Sequence, residues 1–138
     1  KKTKINPIDD YGKSKVRLFK AIKKLEFSRS CRILYLRVFH VFGGNEPKKR
    51  MYPSLLRALK NNSFFKMTNG EEIRDFIHID NVVKKIQSSF KMFNNKNFFK
   101  IKHLASGKKM RVKDFAKKIR EFKRSNTKLL FGAVKKKK

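Results

Sequence analysis

The chain has 138 residues and a formal charge of +29, from 39 Lys and Arg against 10 Asp and Glu. A hydrophobic content of 39% supports a core, and no apolar run approaches the roughly 20 residues of a membrane-spanning helix. Neither wholesale disorder nor a bilayer-crossing segment is therefore expected. A chain this basic attracts polyanions, and each phosphate it neutralises adds a salt-dependent term. Its lysines are spread over every segment, however, and not gathered on one element. The single Cys31 excludes an internal disulfide and suits a reducing, cytoplasmic setting. The chain opens on Lys1 with no apolar signal region after it and is read as part of a longer protein.

Asn6-Pro7 marks a turn, and Asp9 or Asp10 is placed to cap a helix from Tyr11 to about Phe27 with Leu18, Phe19, Ile22 and Leu25 on its apolar stripe. "RILYLRVFHVF", residues 32–42, reads as one buried strand ending at Gly43-Gly44-Asn45. Pro53 is expected to open a short helix carrying Leu55, Leu56 and Leu59, which stops at Asn61-Asn62. A short strand at 64–67 leads into the turn Thr68-Asn69-Gly70, and 73–79 alternates as a further strand. Asp80 should cap a helix whose face is Val83, Ile86, Phe90 and Phe93, followed by the loop 94–97 and a strand at 98–105. Val112, Phe115, Ala116, Ile119 and Phe122 form the last helical stripe. Strands and helices alternate, so the class is α/β: one domain over 1–132 and a basic, disordered tail over 133–138.

Tyr11 and Lys15 stand four residues apart, one turn of a helix. An ammonium beside a phenol favours the phenolate, which makes a tyrosine usable as a general acid/base. In so lysine-rich a chain the spacing alone could be coincidence. Three further segments follow in order: "LRVFHVFGG", "GEEIRDFIHIDNVV" and "HLASGKKMRVKDFAKKI". With "YGKSK" they resemble the extended short-chain dehydrogenase/reductase family, in particular its NAD-dependent epimerase/dehydratase group acting on nucleotide-sugars, over about 7–132.

The resemblance implies the C-terminal part of a Rossmann-like parallel sheet with a small substrate-binding α/β region. It implies Tyr11 as catalytic acid/base, Lys15 as the residue that grips the nicotinamide ribose, and Phe39 as a cofactor-side backbone contact, with NAD or NADP as cofactor. For the nucleotide-sugar it implies Arg74 at the diphosphate, with His40 and the segment around Tyr52 beside it. An arginine suits that position because its fork donates to two phosphate oxygens. The competing reading of Arg74 is a surface ion pair with Asp75 or Asp80, themselves expected as turn and cap residues. His40, His78 and His103 fall on three separate strands without ligand spacing, so no metal site is expected.

The departures are specific. The family's Gly-x-x-Gly-x-x-Gly turn, which seats the cofactor pyrophosphate on a helix N-terminus, has no counterpart here. His40 stands where the family usually carries asparagine, and Arg111 where a Ser or Thr would cap the last helix. The expected function is that of a nucleotide-sugar epimerase, dehydratase or reductase, represented by its C-terminal half and with little turnover of its own. The alternatives are a basic module binding nucleic acid or another polyanion, and an inactive gene fragment. Family members commonly dimerise through the Tyr/Lys helix, a pairing that the lysines at 13–24 would oppose.

Overall fold

The structure, a computed structural model, describes residues 5–25, 32–91 and 98–135. Cys31, Phe93, the loop at 94–97 and the last three lysines lie outside the described residues. The chain divides into two compact units, one of Lys1–Arg37 with Ser89–Lys102 and one of Val38–Ser88 with His103–Lys138.

In the first unit, α1 (Asp10–Lys24) starts where the Asp9 carboxylate accepts the Gly12 N–H at 2.7 Å, satisfying one of the amides a helix leaves open. Its half-buried stripe is Val16, Phe19 and Ile22, while Leu18 and Leu25 are about half exposed. The expected stripe was thus too wide by those two leucines. Phe19 meets Tyr35 edge-on at 4.9 Å, and the Arg37 guanidinium lies 4.8 Å from the Phe19 ring. Tyr35 and Arg37 belong to β1 (Arg32–Val38), whose pairing partner is β5 (Phe98–Leu104). The expected fully buried strand is half-buried at best, because β5 is its only strand neighbour among the described residues.

The run 32–42 is two strands and not one. At Phe39 the backbone N–H donates to Leu104 O at 3.1 Å, and β2 (His40–Phe42) then pairs in parallel with β4 (Ile73–His78), placing His40 opposite Phe76. A change of partner ends the first ladder, which an apolar pattern cannot reveal. β4 also pairs antiparallel with β6 (Lys109–Arg111), setting Asp75 opposite Lys109 and Arg74 opposite Met110. A separate parallel pair joins β3 (Phe65–Lys66) to β7 (Leu129–Leu130).

Three helices complete the second unit. α2 (Met51–Lys60) begins two residues before Pro53, which sits in the first turn where a missing N–H breaks no helical bond. α3 (Ile79–Phe90) begins at Ile79, so Asp80 lies inside the first turn, where a carboxylate suits the positive end of the helix, and does not cap it. Its buried side chains are Val82 and Ser89 with Ile86 half-buried; Val83 and Phe90 face out, one position from the expected stripe. α4 (Val112–Phe122) buries Phe115 and Ala116 as expected but leaves Phe122 79% exposed. The core gathers Leu55, Ala58, Leu59, Phe65, Met67 and Ala116. Thr127, buried by the same elements, donates to Ala58 O at 3.2 Å. The chain stays docked beyond residue 132, because the Val134 N–H donates to Met67 O at 3.2 Å.

Candidate functional site

In the first unit, α1 presents Tyr11 and Lys15 one turn apart, with the Lys15 ammonium 5.1 Å from the centroid of the Tyr11 ring. Tyr11 is 71% exposed, so its hydroxyl is open to a reacting group. Ser14, between them, is turned back on the helix and donates to Tyr11 O at 2.7 Å.

In the second unit, the break at Phe39 and the strand β4 wall a cavity of about 480 Å³. Phe39, His40, Arg74, Asp75 and Lys109 line it. Arg74 spends one donor on its neighbour, Nη1 to Ile73 O at 3.0 Å, out of the five that a guanidinium carries. Among the described residues it forms no ion pair with Asp75 or Asp80. The Asp75 carboxylate is turned to a loop instead: Oδ1 accepts the Ser106 N–H at 2.7 Å and Oδ2 accepts the Gly107 N–H at 2.8 Å. Asp75 thus holds the loop after β5, and Asp80 is engaged with His78 at 3.3 Å. The surface-pair reading of Arg74 loses both of its partners.

His40 stands beside Phe76, edge-on at 5.7 Å. Partial burial against the cavity wall, followed by the positive fields of Arg74 and Arg50, pushes its pKa below the usual 6.5. A neutral imidazole next to two guanidinium groups can still donate one N–H to an anion without adding to their repulsion.

Phe39 keeps its ring half exposed, 5.8 Å from His103. Tyr52 is not brought to this cavity: its ring packs edge-on against Phe42 at 5.2 Å and lies 6.3 Å from Phe115, in an aromatic cluster where Phe76 and Phe115 stack at 3.9 Å. His78 is fixed against Gly43, where a Cβ would fall 2.6 Å from its ring. Arg50 and Lys109 are further cations here, beyond those that the sequence marks. Lys109 lies within a quoted segment but is one of 39 basic residues until the strand register places it, and Arg50 stands out only through its field at His40.

Gly43 bears on the cofactor. Its N–H is already taken by Glu46 Oε1 at 3.0 Å, so the Gly43-Gly44 turn offers no amide cradle for a pyrophosphate. The Tyr11/Lys15 pair, by contrast, is of the right composition for the nicotinamide ribose.

The fold is α/β, with β2 and β4 and likewise β3 and β7 paired in parallel, and β4 and β6 paired antiparallel. The chain matches the NAD dependent epimerase/dehydratase family over residues 1–98 and belongs to it. It is 29% identical over 99 residues to CDP-abequose synthase of Salmonella muenchen, which covers 72% of this chain and 33% of that protein. Its fold is similar to that of UDP-N-acetylglucosamine 4-epimerase from Methanobrevibacter ruminantium, solved with UDP-N-acetylmuramic acid: TM-score 0.77, 22% identity, 91% of this chain and 41% of the other. UDP-glucose 4-epimerase of Thermotoga maritima, solved with UDP-glucose, gives a TM-score of 0.78 at 17% identity, over 95% of this chain and 42% of the other. The chain therefore spans about a third of the curated relative and about two-fifths of these structures.

Proposed function

We propose that the chain carries the proton-transfer pair and the diphosphate-binding wall of an NAD(P)-dependent enzyme acting on a nucleotide-sugar, as an epimerase, dehydratase or reductase. The observation that carries this reading is Arg74 on a 480 Å³ cavity with His40, with no carboxylate paired to it among the described residues. An arginine without a carboxylate partner on a cavity wall is available to an anion, and its fork matches two phosphate oxygens. His40, held neutral, adds a hydrogen bond.

When bound, NAD(P) supplies or accepts the hydride. The chain's own part is proton transfer: Tyr11 Oη takes the proton of the reacting sugar hydroxyl or returns it. Lys15 favours the phenolate that this requires and would hold the nicotinamide ribose. The relatives support the substrate class, since the product of one and the bound ligands of the others are nucleotide-sugars by name.

Titration of UDP-glucose and a CDP-hexose into the protein tests the reading. Arg74→Ala should weaken binding about tenfold or more, the value of a charge-assisted, bidentate contact. Tyr11→Phe should leave binding within about twofold while turnover of a nucleotide-sugar by the natively produced protein falls about 10²- to 10⁴-fold. A Tyr11→Phe protein that turns over like wild type removes that residue from the reaction. The high charge favours one rival, a polyanion-binding module. It would show instead as steeply salt-dependent affinity for arbitrary DNA that Arg74→Ala does not alter.

A further inference from the structure

We infer that Lys109 is a second phosphate contact at the Arg74 cavity, and that it makes the site select diphosphates over monophosphates. The inference deepens the functional reading above and rests on it. Lys109 opens β6 directly opposite Asp75 and one step along the antiparallel ladder from Arg74's partner, Met110. It lines the same cavity as Arg74 and His40. In an antiparallel ladder a cation opposite a carboxylate would normally be neutralised by it. Here no such pair forms among the described residues: the Asp75 oxygens are turned to the loop amides of Ser106 and Gly107.

The next cations along the chain are also spoken for. Arg111 and Lys113 both pair with Glu71, the former at 3.6 Å. Among the described residues Lys109 has no carboxylate partner, and it is the lysine that reaches the cavity. The wall thus offers a planar fork and a separate point charge. A fork alone satisfies one phosphate, whereas a fork plus a mobile ammonium matches two linked phosphates bearing charge on both.

The test is a set of titrations with UDP, UMP, CDP and CMP at one ionic strength, on wild type, Lys109→Ala, Arg74→Ala and Lys60→Ala. Lys60, at the exposed end of α2, removes the same charge outside this cavity. Wild type and Lys60→Ala should prefer each diphosphate to its monophosphate by about tenfold, one charge-assisted hydrogen bond. Lys109→Ala should bring that ratio close to one and leave monophosphate affinity within about twofold. Arg74→Ala should weaken both nucleotides together. If Lys109→Ala keeps the wild-type ratio, or weakens both nucleotides equally, the inference fails while the Arg74 result still supports the site. If Arg74→Ala changes nothing, or wild type binds none of the four nucleotides, the site itself falls and the inference with it.

Discussion

His40 carries the clearest pH signature. Its folded pKa lies below the 6.5 of a free imidazole, so between the two values the unfolded chain binds more protons than the folded one. Stability is therefore unpenalised above about 6.5 and is lost as the pH falls through the folded value. Urea midpoints measured between about pH 7 and pH 5 should show this fall, and His40→Asn should flatten it. Glu71 acts in the same direction at lower pH, its carboxyl held below 4.5 chiefly by the Lys113 hydrogen bond and by the charges of Lys113 and Arg111. The candidate residues differ in how far local sequence marks them. Tyr11, Lys15, Arg74 and His40 sit in quotable motifs, so the sequence located them. Lys109 also falls in a quoted segment, but nothing local marks it among its basic neighbours, because its place comes from facing a strand 34 residues earlier.

At the scale of the element, caps and turns decide more than stripes do. α4 begins after Arg111, whose backbone is extended as an N-cap should be but whose side chain makes no capping bond. Arg111→Ser should stabilise by about 0.5–1 kcal/mol in urea denaturation, a cap of about 1 kcal/mol less an exposed pair to Glu71. The turn before β4 is tighter. Gly70 has φ +68°, and a Cβ there would lie 2.8 Å from both the Cβ and the N of Lys113, whose own N–H bonds Gly70 O at 3.0 Å. Gly70→Ala should cost about 2 kcal/mol or more, read as a lower urea midpoint with unchanged slope. Asn69-Gly70 was legible as a turn, but the reason glycine is required lies 43 residues away in sequence.

Over the whole molecule, burial is uneven. Every buried hydrophobic side chain among the described residues belongs to the second unit, and α1 in the first has none. Local stability follows buried apolar contact. Backbone amides of 16–24 and 33–37 should therefore exchange with deuterium about tenfold or more faster than those of α2 near Leu55 and of α4 near Ala116. Leu55→Ala, at a position with no exposed surface, should cost about 2–5 kcal/mol by the cavity it leaves. Equal protection in the two units would contradict this account.

The sequence by itself determined the α/β class, the order of the four helices and the family, because periodicity, caps and short motifs are local. It also indicated that α4 lacks a cap, which the structure bears out, whereas Asp75, expected at a turn, lies within β4 and only its side chain holds the loop after β5. It could not show that 32–42 breaks at Phe39, that Val82 and Ser89 face inward on α3, or that Tyr52 belongs to an aromatic cluster away from the cavity. Those depend on which strand a ladder pairs with and which face a helix finds covered. Only the tertiary structure could decide them, since pairing and cover are made by residues distant along the chain.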